Sequence, residues 1–278
     1  MQVNGNPGSV ISIRDRGLLY GDGVFRTFVA AGGKALHWPL HYRKIKHDCI
    51  ALRIPYPEEA QLTAELDDLL AQNPDGVVKL IVTRGEGARG YAPPKEPSPT
   101  LIWDISPLPE NPAEWVTRGI KARLCQTRLC HQPQLAGIKH LNRLENVLAA
   151  AELADAGADD SHTPGLAAEG LLLDTAGNVI EGTRSNLFMV FQGNLVTPDL
   201  SRCGVAGVQR DRVMVWAKQH KVPLQVRNIG LDEVFRADEL FLVNSVFGLW
   251  PIRHFEHRSL SAFPLAGQIR SALFEQET

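Results

Sequence analysis

Lys139 lies in the segment AGIKHLNRLENVL, where an extended stretch gives way to a helical pattern. A lysine whose amine is neutral near pH 7 is a nucleophile toward carbonyl carbon and a general base, and partial burial favours that neutral form. Most lysines at helix starts are solvated charges, so spacing alone leaves Lys139 open between the two roles. A second candidate is the loop RGEGARGYAPP, in which Arg89 and Tyr91 stand among glycines. A guanidinium presents paired donors that match the two oxygens of a carboxylate, and loops commonly carry such binding residues. A loop-rim arginine facing bulk water is the equal alternative. The glycines at 85, 87 and 90 satisfy the spacing G-x-G-x-x-G, yet they lead into Tyr91-Ala92-Pro93-Pro94 rather than a helix, which argues against a dinucleotide-binding turn. His37 and His41 have the spacing of a metal pair, but Pro39 lies between them and no third ligand is evident, so no metal is expected.

The elements that must position these residues are legible in outline. The opening MQVNGNPGSVISI predicts a hairpin: a short strand, a turn on Asn-Gly-Asn-Pro-Gly and a second strand. Pro39 opens a helix with Ile45, Cys49 and Leu52 on one face and Arg43 on another, and Pro55 ends it. A second helix begins near Pro57, with acidic residues in its first turn and Leu62, Leu66, Leu69 and Leu70 turned inward. Strands over 77–83 and 100–105 flank the Gly-rich loop. SPLPENP, with three prolines in seven residues, then marks a domain boundary. The expectation is a smaller N-terminal α/β domain over 1–110 and a larger C-terminal domain over 111–278 that carries Lys139.

In the second half, residues 120–125 read as a strand and 140–156 as a helix with Leu141, Leu144, Leu148 and Ala151 inward and Gly157 at its end. LLLD, VIEG, SNLFMVF and NLVTP form short strands. A helix follows CGVAGVQ with Val213, Trp216 and Ala217 packed together, ELFLVNS is a buried strand, and a terminal helix starts near 260. The stretch DDSHTPGLAAEG predicts a surface loop. Short strands mixed with helices, without regular βαβ alternation, indicate a two-domain α+β architecture.

Composition narrows the function classes. Lys plus Arg number 29 against 31 Asp plus Glu, so no chain-wide field draws in nucleic acid or an anionic membrane, and a small-molecule substrate is expected. Neither a signal peptide nor a membrane-spanning apolar run is visible, which points to a soluble cytoplasmic protein. Cys49, Cys125, Cys130 and Cys203 lack metal-type spacing, so buried or tolerated thiols are expected.

GDGVFRTF at 21–28, HYRKI at 41–45, VTRGEGARGY at 82–91, AGIKHLNRLENVL at 136–148, VIEGTRSNLF at 179–188 and CGVAGVQR at 203–210 occur in an informative order. Together they resemble the fold type IV (branched-chain aminotransferase-like) family of pyridoxal 5′-phosphate (PLP) enzymes along nearly the whole chain. The resemblance implies that Lys139 is the residue that bonds the cofactor aldehyde and, once displaced by substrate, shuttles a proton. It makes Glu181 the carboxylate facing the ring nitrogen. It assigns the phosphate to Arg43, to Gly207, Val208 and Gln209 before a predicted helix, and to Asn244 and Ser245 at a strand end.

AGIKHLNRLE and GVVKLIVTRGEGARGY resemble the aminodeoxychorismate lyase branch, which implies a carbon–oxygen lyase giving 4-aminobenzoate and pyruvate for folate synthesis. VIEGTRSNLF, closer to the transaminase form, and Arg26, where a smaller residue is expected after GDGVF, keep a D-amino-acid or branched-chain transaminase as the alternative. A non-catalytic PLP-binding protein is the third reading, opposed by the joint presence of Lys139, Arg43 and Glu181. The family builds its active sites at subunit interfaces, which implies a homodimer.

Overall fold

The protein is described from a computed structural model covering residues 1–8, 10–159 and 167–275. Most of the predicted surface loop at 159–170 lies outside the described residues. The chain forms two units, Met1–Pro109 with Ile138–Asn142, and Glu110–Gly137 with Arg143–Thr278.

The first unit contains β1 (Gln2–Val3), β2 (Asn6–Pro7), α1 (Arg16–Tyr20), β3 (Gly23–Ala31), β4 (Lys34–Ala35), α2 (Trp38–Ala51), α3 (Glu59–Gln72), β5 (Gly76–Thr83) and β6 (Thr100–Ser106). Its six-stranded sheet runs β2-β1-β6-β5-β3-β4, with every pairing antiparallel. The opening hairpin is tighter than the sequence suggests. Asn4 and Gly5 both have positive φ, 52° and 73°, a two-residue turn that starts the return strand at Asn6 and leaves Val10 and Ile13 exposed. Along β3, Val24, Phe28 and Ala30 turn into the core, and Arg26 stands in the same inward row. The α3 leucines are buried where the 3.6-residue period puts them. Burial of each contributes about 1.5–3 kcal/mol, and Leu62→Ala or Leu66→Ala would open a cavity in that seam.

The second unit contains α4 (Glu114–Arg118), β7 (Ile120–Leu129), α5 (Leu144–Asp159), β8 (Glu169–Asp174), β9 (Val179–Gly182), β10 (Asn186–Phe191), β11 (Asn194–Pro198), α6 (Val208–Gln219), β12 (Leu224–Arg227), α7 (Leu231–Val234), β13 (Glu239–Asn244), β14 (Gly248–Phe255), β15 (Arg258–Ser259) and α8 (Pro264–Leu273). Its strands run β12-β11-β10-β13-β14-β7-β8-β9, with β15 on β14 and β9 returning to β10. That last pairing, Glu181 opposite Asn186, closes six strands into a ring. Val213, Trp216 and Ala217 of α6 pack with Phe188, Phe241 and Ile269, as their spacing predicts.

Two expectations change. Residues 138–142 do not join the C-terminal unit, because backbone hydrogen bonds fix them along the edge of β3: Phe25 N donates to Lys139 O at 2.9 Å and Leu141 N to Gly23 O at 3.0 Å. Held extended, they delay the helix to Leu144, and its packed face shifts. Ala149 and Leu153 meet Cys125 and Leu172, whereas Leu144 and Leu148 are 76% and 58% exposed rather than inward.

Candidate active site

Lys139 is clamped through its backbone. Its carbonyl accepts from Phe25, His140 bridges Val24, and its own N–H donates to Asp48 Oδ2 at 3.1 Å. The Asn142 side chain then donates to Gly21 O at 3.0 Å, ending the extended segment. The Lys139 Nζ lies 4.5 Å from the centroid of the Phe25 ring, and the side chain is half-buried. The main chain of this lysine is fixed on a strand edge and its amine lies against an aromatic face.

The other predicted residues of the first unit are more open. Arg43 is on the exposed face of α2, whereas Asp48 on the same helix is fully buried. Arg89 and Tyr91 are exposed on the Gly-rich loop, Tyr91 at 85%. The loop is nevertheless held in place. The Arg16 guanidinium donates to the carbonyls of Gly90, Tyr91 and Ala92 at 3.1, 2.8 and 3.2 Å, and Tyr20 packs edge-on against Tyr91 at 5.3 Å. Asp22 in turn binds Arg16 and Arg84, each at 2.8 Å, and Arg84 donates to Leu52 O and Arg53 O. Burial pushes the Asp22 carboxyl up, but the two guanidinium groups outweigh it and hold its pKa below the ordinary 3.8.

The second unit brings Glu181, Gly207, Val208 and Gln209 together. Buried Glu181 on β9 accepts the Val205 N–H at 2.8 Å. Asn186, its partner across the ring closure, donates to Val205 O at 2.7 Å and accepts from Gly207 N at 3.1 Å. Gly207 caps α6, and a Cβ there would lie 2.4 Å from Asn186 Oδ1, so only glycine keeps this approach. Gly204, at φ +82°, is equally constrained, since its Cβ would reach 2.7 Å from Ile180 and 3.3 Å from Glu181 Oε2. The outcome is a helix whose first turn, with the N–H groups that an α-helix leaves without an intrahelical partner, follows directly on the loop that Glu181 and Asn186 hold. Gly137, two residues before Lys139, pairs with this same loop through Gly204 O and the Ala206 N–H, at 2.9 and 3.0 Å.

Asn244 ends β13, and its side-chain oxygen accepts from Val246 N and Phe247 N at 2.9 and 2.8 Å, shaping the turn that holds half-buried Ser245. Its amide donates to Arg184 O at 3.3 Å. Glu169, fully buried, accepts from Thr183 N at 3.0 Å, Ser185 Oγ at 2.8 Å and the Thr183 hydroxyl, so the turn after Glu181 is fixed from below. Sequence reasoning missed Glu169, Asn186, Arg16 and Asp48. For Arg26 a signal existed: a charged residue in an inward strand row requires a buried partner.

Among the described residues, ligand atoms of His131, Asp174 and Cys203 lie within 4.8 Å of one another. Asp174 already accepts from Ala176 N, Asn178 N, the Asn178 amide and His131, all at 2.8–2.9 Å. The Cys203 thiol is pushed up to about 12, chiefly by burial, which keeps it protonated. Cys49 and Cys125 are likewise pushed up to about 12 by burial, so they are packing groups rather than nucleophiles.

The chain is similar to known proteins along nearly its whole length. Residues 23–255 match the family model described as amino-transferase class IV. An aminodeoxychorismate lyase of Vibrio harveyi is 33% identical over 90% of this chain and 89% of its own. A D-alanine aminotransferase of Bacillus licheniformis is 24% identical over 95% and 90%. The crystal structure of 4-amino-4-deoxychorismate lyase from Pseudomonas aeruginosa superposes with a TM-score of 0.90 at 44% identity, covering 98% of this chain and 97% of that one. With a strand-edge lysine, a buried glutamate and a helix N-terminus on the folds described, the chain belongs to the amino-transferase class IV family.

Proposed function

We propose that this protein is a PLP-dependent lyase that converts 4-amino-4-deoxychorismate to 4-aminobenzoate and pyruvate. The observation that carries the reading is the 44% identity, at a TM-score of 0.90 over 98% of the chain, to the Pseudomonas aeruginosa lyase. The residues present fit the cofactor. The glycine cap of α6 leaves backbone donors open for a phosphate, buried Glu181 offers a carboxylate for a ring nitrogen, and Lys139 offers the amine. When bound, PLP supplies the electron sink for charge left by proton removal.

Each residue then has a definite task. The Lys139 amine would hold the cofactor and, once released by substrate, would take the proton from the amine-bearing ring carbon of the substrate. Glu181 would face the ring nitrogen and keep its proton there. Val208 and Gln209 would donate to the phosphate from the start of α6, with Gly207, whose own N–H is held by Asn186, keeping the approach to them open; Asn244 and Ser245 would support them from the end of β13, and Arg43 on α2 would add positive charge. Arg89 and Tyr91 meet a substrate carboxylate from the loop that Arg16 braces. Loss of the enolpyruvyl group leaves an aromatic ring, which drives the reaction toward products.

The product places the enzyme in folate synthesis, and the protein is cytoplasmic. Among the described residues no helix is long and apolar enough to cross a membrane. The working form is a homodimer; supporting it, Leu144, Val147 and Leu148 form an exposed apolar stripe on α5. Purified protein supplied with PLP and aminodeoxychorismate is expected to release fluorescent 4-aminobenzoate. Turnover only with an amino acid and a 2-oxo acid would replace the lyase reading with a transaminase.

A further inference from the structure

We propose that the buried Arg26–Asp48 pair is a positioning device for Lys139: Arg26 orients the Asp48 carboxylate, and that carboxylate holds the lysine's backbone N–H. The proposal rests on the reading of Lys139 as the reacting residue. Asp48 is fully buried on α2, and Arg26 on β3 is nearly so, within a row otherwise filled by Val24, Phe28 and Ala30. Burying this guanidinium is costly unless an anion meets it. Asp48 Oδ2 does so directly. The same oxygen accepts the Lys139 N–H at 3.1 Å, while Oδ1 lies 3.1 Å from His47 Nδ1. One carboxylate oxygen therefore joins three segments distant in sequence: the inward face of β3, the buried face of α2 and the strip that carries the amine.

Simple packing does not require this arrangement. An apolar pair at 26 and 48 would fill the same volume with no desolvation penalty. What such a pair cannot supply is an acceptor for the Lys139 amide. Phe25 N already fixes the Lys139 carbonyl from β3, so Asp48 completes a hold on the peptide groups on both sides of the Lys139 Cα, and Arg26 keeps the acceptor from turning away. Orientation matters at this residue because a displacement of about 1 Å at a reacting group lowers turnover by roughly 100-fold.

Two double variants separate anchoring from stability. R26L/D48L removes the buried charges and the acceptor, whereas R26L/D48N removes the charges but leaves an amide oxygen in the Asp48 position. The readouts are hydrogen exchange at the Lys139 amide in cofactor-free protein, visible circular dichroism of the PLP-loaded protein, and kcat and KM for aminodeoxychorismate. In R26L/D48L the Lys139 amide is expected to exchange roughly fivefold faster or more, the visible signal to weaken, and kcat to fall about 100-fold with KM within about twofold. R26L/D48N is expected to restore all three only part of the way, because it returns an acceptor oxygen without the Arg26 that fixes its direction; full recovery would remove Arg26 from the device. Equal exchange and equal kcat in the two variants would overturn the proposal, as would a Lys139 amide that exchanges in the parent at the rate of an unprotected one. The last measurement needs no variant and no turnover. If the lyase assay is silent for every protein, the proposed reaction fails while the exchange result still decides the anchoring.

Discussion

Ion-paired acidic side chains in the N-terminal unit contrast with neutrally bonded ones in the C-terminal unit, although Asp15 of the N-terminal unit also relies on neutral donors, the Thr83 and Thr100 hydroxyls at 2.9 and 2.7 Å. In the N-terminal unit, Asp22 and Asp48 are met by guanidinium groups, from Arg16 and Arg84 in one case and Arg26 in the other. In the C-terminal unit, Glu169 and Glu239 are met mainly by backbone N–H and hydroxyl groups, Glu239 accepting from Leu265 N and Ala266 N at the start of α8, both at 2.9 Å. The two solutions have opposite electrostatic results. Asp22 is held below the ordinary carboxylate value, whereas burial pushes Glu239 above 4.5 because its two N–H donors do not offset desolvation. Ion pairs tie together elements that are far apart in sequence, such as a Gly-rich loop to α1 or α2 to β3. Neutral donors fix the local shape of a turn or a helix start.

The largest effect expected concerns the lysine that the first scheme helps to hold. Lys139→Ala is expected to lower kcat by roughly 10⁴-fold, since the proposed function gives one amine the work of both cofactor anchor and proton carrier. Borohydride-trapped cofactor should map to residue 139 in the parent. Full turnover by the variant, or trapping at another side chain, would remove the basis for the site.

Next in size is Arg26→Leu alone. It strands a buried carboxylate and should lower stability by about 3–5 kcal/mol in denaturant unfolding. Glu169→Gln, which keeps one acceptor for the Thr183–Ser185 turn, should lower it by about 1–3 kcal/mol. If the two losses were equal, the distinction between ion-paired and neutral burial would fail.

The smallest effect is a pH dependence with opposite signs in the two units. Asp22 has a depressed pKa, so its stabilisation is complete above the unfolded value near 3.8 and disappears as pH falls through the folded value. Asp22→Asn is therefore expected to be less stable than the parent at pH 7, by about 1 kcal/mol, with the gap closing in acid. Glu239 has a raised pKa, so the parent loses stability as pH rises from 4.5 through the folded value, and the deficit of Glu239→Gln should shrink over that range. Thermal unfolding of both variants across pH 3–7 would test this; parallel trends would show that the contrast has no energetic content.

Much of the fold is legible in the sequence. The α3 leucines, the strands around residues 76–83 and 100–106, and the packing of Val213, Trp216 and Ala217 follow from periodicity, because one buried face imposes a repeat on the residues that line it. The family motifs marked Lys139, Glu181 and the start of α6. The face of α5 was misread, since Leu144 and Leu148 have core-like spacing yet are exposed. Periodicity reports an apolar stripe without saying what covers it. Glu169 was invisible for another reason: a buried glutamate and a surface glutamate look the same until its donors are known.

The sequence by itself determined the order of elements, the family and the residue types at the site, because these depend on local pattern and on motifs kept in one order. Only the tertiary structure decided that residues 138–142 belong to the edge of β3, that Arg26 and Asp48 meet in the core, and that the ring of strands closes at Glu181 and Asn186. Each of these is a pairing between residues remote in sequence, and a hydrogen bond or ion pair of that kind leaves no periodic trace along the chain.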